Sequence, residues 1–325
     1  MNDMTQAIGM KAKLNDKMRK ISEKVNVRWK YDVKRFKKNK IAYALVMPFY
    51  TLFFTFTVLP VILSVFFSFT YFNILETPRW IGVQNYINLF LNDDIFVLSL
   101  RNTLIFAVIT GPVSYLASFV FAWLINDLPR KVRTVVVLVF YAPAISGSAF
   151  FIWQLLFSPD RYGYINSLLL RLGIIQEPVL WLMDVKFIMP IIIVVALWMS
   201  ISTAFLAFIA GLKSLDKSLL EQGAIDGVRN RWQELWFIIL PTMRPMLMFG
   251  AVMSITGSFT VASVSIELAG FPSVDYAGHT IVTHLMDYGS MRFEMGYASA
   301  IATVLFALMV TVNKVIQRLL QKVGN

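Results

Sequence analysis

The 325-residue chain has no cysteine and only two histidines. Thiol nucleophiles, thiolate metal sites and disulfides are therefore excluded, although their absence identifies no compartment. Charge is scarce as well: 15% of the residues are Asp, Glu, Lys or Arg, where a soluble domain carries about 25%. What replaces charge is apolar surface. Hydrophobic residues make up 57% of the sequence and the mean hydropathy is +0.64. No single globular core hides such a surplus. A disordered chain, a disulfide scaffold and a conventional soluble enzyme are excluded, and the composition is that of a polytopic membrane protein.

A bilayer core needs about 20 apolar residues per helix. Six runs meet that length, near 41–72, 102–125, 134–157, 187–212, 237–261 and 295–312. Pro48, Pro60, Pro112, Pro143, Pro190, Pro241 and Pro245 fall inside or beside them. Membrane helices tolerate such breakers because neighbouring helices and hydroxyl side chains satisfy the freed backbone groups. Six all-α spans place both termini on one side. Of the 30 Lys and Arg, 23 lie on that side, 13 of them in the first 40 residues; six lie on the other, and Arg244 sits near the inner end of the fifth run. Basic loops stay in the cytoplasm, so both termini are expected there. The excess of positive charge is then an orientation signal and requires no nucleic acid.

Within 1–40, Ile21, Val25, Trp29, Val33 and Phe36 recur at helical spacing among the basic residues. An interfacial helix on anionic lipid and a partly ordered basic lead-in both account for them. The first apolar run has full span length and lacks a small-residue cleavage site, so no signal peptide is expected.

The six runs contain no ionisable side chain except Arg244. Proton relays and carriers of strongly charged solutes place such groups at membrane depth, which argues against both. A sodium-coupled carrier is less affected, since carbonyls and hydroxyls hold sodium. No G-x-x-x-x-G-K-[ST] loop is present, so the chain has no such cradle for ATP phosphates. No nucleophile–base grouping stands out. His279 and His284 share an expected external loop, as a metal pair or simply as two polar loop residues. Any uphill transport must draw its energy from another chain.

The stretch from Gly211 to Pro245 is the most informative. Leu219, Leu220, Ala224 and Ile225 form an apolar stripe on a short amphipathic helix near 217–225, which breaks at Asp226-Gly227 before the chain re-enters the membrane at Leu235. Periodicity alone leaves this segment open between a solvated connector and a partner-binding helix.

Its residues resemble the E-A-A-x-x-x-G loop of binding-protein-dependent ABC importer permeases. Gly211, Leu212, Leu219, Glu221, Asp226, Gly227, Ile238, Leu240 and Pro241 match the sugar-permease form; Gln222, Gly223, Asp216 and Val228 depart from it. The resemblance covers nearly all the chain after Lys40. It includes Pro48, Pro60 and Val61, the segments 67–70, 82–86, 101–104 and 155–163, and 293–300 with Glu294 and Met295 inserted. The match is to the F-type permease of maltose-like carbohydrate importers, without their large external domain.

The resemblance implies the type I importer fold in the bacterial cytoplasmic membrane and a non-catalytic subunit. Residues 1–40 become a basic cytoplasmic segment, 41–320 the permease domain with its coupling-helix loop at 213–234, and 321–325 a cytoplasmic tail. Residues 217–227 become the coupling helix, with Lys217, Leu220, Glu221, Gly223, Ala224, Asp226 and Gly227 against a partner ATPase. The implied partners are two cytoplasmic ATPase subunits that bind ATP and Mg, a second permease of G-type and an external solute-binding protein, with a carbohydrate, expected to be an oligosaccharide, as solute. No cofactor or metal is expected on this chain.

Polar and aromatic residues in the third to fifth runs are the candidate path: Ser146, Trp153, Gln154, Trp198, Met199, Ser200, Thr203, Ser254, Ser258 and Thr260. Aromatic faces cover C–H patches of sugars while hydroxyls and amides take hydrogen bonds. Of these, Met199, Ser200 and Thr203 fall where the resemblance places sugar contacts. A permease for glycerol phosphate or another polar solute, a self-sufficient sodium-coupled carrier and a non-conducting membrane scaffold for an ATPase are the competing readings.

Overall fold

The computed structural model describes residues 39–146, 149–200 and 203–322. The expected interfacial helix and most of the basic segment at 1–40 lie outside the described residues, as do 323–325 of the tail. The chain divides into two units, Met1–Leu63 and Ser64–Asn325.

In the first unit, α1 (Lys40–Phe53) passes through a wide π turn at Phe54–Val58 into α2 (Leu59–Phe67), which runs across the unit boundary. No residue of α1 is buried, as suits a helix whose solvent is lipid or another membrane chain. The π turn has a local cause. Pro60 lacks an N–H and its ring crowds the carbonyl four residues back, at Phe56; the wider turn relieves both. The same register recurs at Leu235–Ile239, just before Pro241.

In the second unit the end of α2 is followed by a two-residue ladder in which β1 (Thr70–Tyr71) and β2 (Arg79–Trp80) run antiparallel, Thr70 opposite Trp80. Then follow α3 (Gln84–Leu91) and α4 (Asp94–Asn126), a 33-residue helix. Asp93 caps α4 by accepting from the Phe96 N–H at 2.8 Å, and Asp94 adds negative charge at the positive end of the helix dipole. Pro129 follows its end. Next come α5 (Arg130–Ile145), α6 (Ala149–Leu156), α7 (Tyr164–Arg171), α8 (Val185–Met199), α9 (Thr203–Lys213), α10 (Lys217–Ile225) and α11 (Arg231–Glu234). Beyond the second π turn lie α12 (Arg244–Phe259), α13 (Ser263–Ala269), α14 (Ile281–Met286) and α15 (Met295–Lys322).

α4 is the hub. Its Phe119 and Trp123 pack with Phe205, Phe208, Leu235 and Ile239. Its Phe106 packs with Ile188, Ile192, Val195 and Val264. Near its start, Phe96 and Ala107 pack with Ile255, Ile281 and Ile301. Small residues permit the close approaches: Gly111 faces Ser258, and the Phe208 ring fills the space a side chain at Gly250 would need.

The chain is all-α and multi-spanning apart from the short ladder; where six spans are expected, five helical stretches among the described residues are long and apolar enough to cross a membrane: Lys40–Phe67, Asp94–Asn126, Val185–Lys213, Arg244–Ala269 and Met295–Leu319. The run at 134–157 is instead α5 and α6, of 16 and 8 residues, broken where Ser146 turns extended (φ −86°, ψ 107°). The reason is local chemistry. Pro143 lies in the last turn of α5, and Ser146 can offer the backbone another partner. Boundaries differ elsewhere too. The first helix stops at Phe67 because the chain turns into β1, and α4 starts at Asp94 because Asp93 caps it.

Candidate functional site

Three places in the second unit carry polar chemistry. The first is the segment between α9 and α12. Asp216 caps α10 by accepting from the Ser218 N–H at 3.0 Å, and the Ser218 backbone and hydroxyl hold its carboxyl below the usual range. One face of α10 turns inward. Gly223 is buried, and the Ile238 side chain occupies the space a Cβ there would need; Leu220 is half-buried. The other face is open. Lys217, Glu221, Ala224 and Asp226 are exposed, and Ile225 is 85% exposed. Gly227, at φ +98°, makes the turn that ends the segment, a conformation glycine adopts without penalty. The Val228 N–H then donates back to Gly223 at 2.9 Å. The result is a short helix capped at both ends, whose outer face packs on nothing else in the described residues of this chain.

The second place is a cavity of about 260 Å³ between α4, α6, α8, α12 and α13. Met199, Ser200, Ser254, Ser258 and Thr260 line it, as do Phe106, Thr110, Ser114 and Phe150. None of its lining residues is ionisable. Several hydroxyls donate to their own helix: Thr110 to Phe106 O at 2.8 Å, Ser114 to Gly111 O at 3.2 Å, Ser200 to Leu197 O at 2.6 Å and Ser258 to Ser254 O at 2.8 Å. Their lone pairs remain, so the wall mainly accepts hydrogen bonds.

The other path candidates are placed differently. Trp153 and Trp198 pack edge to face at 5.4 Å, one turn from Phe150 and beside Met199. The Gln154 amide donates to the Glu267 carbonyl. Ser146 is exposed at the helix break. Thr203 opens α9, and its side chain is not among those described. Thr110 and Ser114 were outside the third-to-fifth-run candidates. Their four-residue spacing, continued by buried Ser118, is the sequence signal for a polar stripe on one helix face.

The third place lies at the start of α4. Asp93, beyond capping, accepts from the Tyr297 hydroxyl at 2.8 Å, and His284 Nε2 lies 3.0 Å from its Oδ2. Burial raises the Asp93 pKa, but hydrogen bonds from His284, the Phe96 N–H and Tyr297, with the His284 charge, outweigh it and bring it down to about 2. Asn102 donates to the carbonyls of Tyr276, Ala277 and His279, and the Ile281 N–H donates to Thr103 Oγ1 at 2.9 Å. These bonds staple the segment between α13 and α15 to α4. His279 and His284 have ring centroids 5.8 Å apart. Among the described residues no three His, Cys, Asp or Glu side chains converge as a metal-ligand set.

No family model matches the chain. Curated relatives do. The chain is 30% identical over 276 residues to the probable ABC transporter permease protein YesP of Bacillus subtilis (strain 168), covering 84% of this chain and 87% of the relative. It is 29% identical over 281 residues to the arabinooligosaccharides transport system permease protein AraP of the same organism, covering 86% and 88%. It is 28% identical over 252 residues to the sn-glycerol-3-phosphate transport system permease protein UgpA of Agrobacterium fabrum (strain C58 / ATCC 33970), covering 76% and 82%. In fold it is similar to a chain in the crystal structure of a bacterial ABC transporter involved in the import of the acidic polysaccharide alginate. The TM-score is 0.72 at 20% identity, over 90% of this chain and 99% of that one. With the relation to YesP extending over 84% of its length, the chain belongs to the ABC transporter permease proteins, multi-pass, non-catalytic transport subunits of the bacterial cytoplasmic membrane.

Proposed function

We propose that this chain is one of two membrane-spanning subunits of an ATP-driven importer for an uncharged carbohydrate, of F-type and paired with a distinct G-type permease. An external solute-binding protein delivers the sugar and two cytoplasmic ATPase subunits drive its passage. In this reading residues 41–320 are the permease domain, with α5 and α6 together as the sixth crossing. Residues 1–40 and 321–325 are cytoplasmic, and the loop at 213–234 faces the ATPase.

The uncharged, hydroxyl-lined cavity of about 260 Å³ carries this reading. A sugar presents many O–H donors, and a wall in which the Thr110, Ser114, Ser200, Ser258 and Thr260 hydroxyl protons go to backbone carbonyls offers acceptors for them. The volume is below the roughly 300–1,000 Å³ of sites that enclose a drug-sized ligand, as suits a half-site completed by the second permease. AraP is named for an oligosaccharide, which supports the same class. UgpA is named for glycerol phosphate, but no Lys or Arg lines this cavity to meet a phosphate. Family membership leaves a self-sufficient sodium-coupled carrier or a non-conducting scaffold the weaker readings.

Coupling falls to α10. Closure of the ATPase pair would draw this helix with it and turn the cavity outward, and ATP hydrolysis would reset it inward. Glu221, exposed beside Ala224 and Ile225, is the charge offered to the ATPase cleft. Glu221→Lys should leave assembly in the membrane partly intact while substrate-stimulated ATP turnover drops to the unstimulated level. Normal transport and stimulation in that variant would remove the role.

A further inference from the structure

We propose that Arg231 is a positioning residue that bolts the coupling segment to α4 and so carries its movement to the hydroxyl cavity. The inference rests on the coupling role proposed for α10. α10 has no covalent path to α4 shorter than the intervening helices, so a displacement of α10 must reach that helix through packing. Arg231 supplies a directed contact. Its guanidinium pairs with Asp127 at 2.5 Å and lies 4.9 Å over the Trp123 ring. Trp232, the next residue, packs on the same indole at 5.2 Å.

The two ends of the bolt are fixed. Asp127 is the cap of α4, and Trp123, one turn earlier, is 7% exposed in the core. On the other side, Asn230 caps α11 by accepting from the Gln233 N–H at 2.9 Å, and the Gln233 side chain accepts from the Arg229 N–H at 2.7 Å. These bonds tie the backbone around Arg231 to Arg229, two residues beyond the Gly227 turn that ends α10. An ion pair this exposed contributes little to stability. Its value here is geometric: a planar guanidinium, stacked and paired at once, resists displacement in more than one direction. At the far side of the same helix, Ser114 lines the cavity.

The absence of cysteine allows a test that needs no identified solute. In the assembled importer, single cysteines are placed by Ile225→Cys on α10 and Ser114→Cys in the cavity. The maleimide labelling rate of this chain is then measured with and without ATP and Mg. With Arg231 present, nucleotide should change labelling at both positions. In Arg231→Ala the response at position 225 should persist, while that at position 114 falls by at least about fivefold, the lower range of coupling between distant sites. Asp127→Asn, which keeps the stack, should show the same split to a smaller degree, and the exchange Asp127→Arg with Arg231→Asp should restore part of the response. An undiminished response at position 114 in Arg231→Ala overturns the bolt and leaves the coupling helix standing. Loss at both positions makes Arg231 a seating residue and also overturns it. No response at position 225 in the chain with Arg231 intact defeats the coupling reading itself, and the bolt with it.

Discussion

Two side chains near the start of α4 show how burial and hydrogen bonding move titration to different pH ranges. Burial first and the His284 charge second, against the opposing pull of Asp287 and Asp93, bring the His279 imidazole down to about 4. An unfolded histidine takes up its proton near pH 6.5. Between pH 6.5 and 4 the unfolded chain therefore binds more protons than the folded one, and stability falls as the solution is acidified. Asp93 acts lower: its contribution is full above the ordinary carboxylate value and is lost as pH falls toward about 2. The Asp93 window lies mostly below that of His279, the two meeting near pH 4–5. His279→Phe, whose ring can still stack on Phe271 as the imidazole does at 5.7 Å, should flatten the acid-side loss between pH 6.5 and 4 by about 1–3 kcal/mol. Thermal inactivation of the detergent-solubilised complex across that range checks it. An unchanged slope would mean that His279 is not the titrating group.

At the scale of the element, α4 is an apolar membrane helix by composition and a polar-lined hub by structure. Its Thr110, Ser114 and Ser118 fall four residues apart on one face, with Ser99, Asn102 and Thr103 above them, all buried. The spacing is legible, but its importance is not, because serine and threonine are common in packed membrane helices. Thr110→Val combined with Ser114→Ala preserves most of the volume and removes two acceptors. The solute concentration for half-maximal uptake by the assembled importer should rise about tenfold, from the loss of roughly 1.4 kcal/mol over two hydrogen bonds. Equal uptake curves would place the solute elsewhere. α10 is more transparent: Asp216 before it and Asp226-Gly227 after it are recognised cap and stop signals, and the helix occupies Lys217–Ile225. The run at 134–157 misleads for the opposite reason. Hydropathy averages over it, whereas a proline in the last turn of α5 and an extended Ser146 end the helix there.

For the whole molecule, orientation is the property on which the coupling proposal depends. Tyr162 is 90% exposed between α6 and α7, in a loop expected outside, and Ser218 is exposed on α10, expected inside. In sealed right-side-out vesicles, Tyr162→Cys should react with an impermeant maleimide at once and Ser218→Cys only after permeabilisation. The reverse pattern would invert the topology and end any role for α10 with a cytoplasmic ATPase. The sequence by itself determined the class of solvent, the expected sidedness and the short helix between the fourth and fifth runs, because hydropathy, charge bias and capping are local sums over neighbouring residues. Only the tertiary structure decided which hydroxyls share a cavity, that Gln154 is spent on a backbone carbonyl, and that Arg231 reaches Asp127 and Trp123. Those depend on which helix faces meet, and packing between segments distant in the chain fixes that.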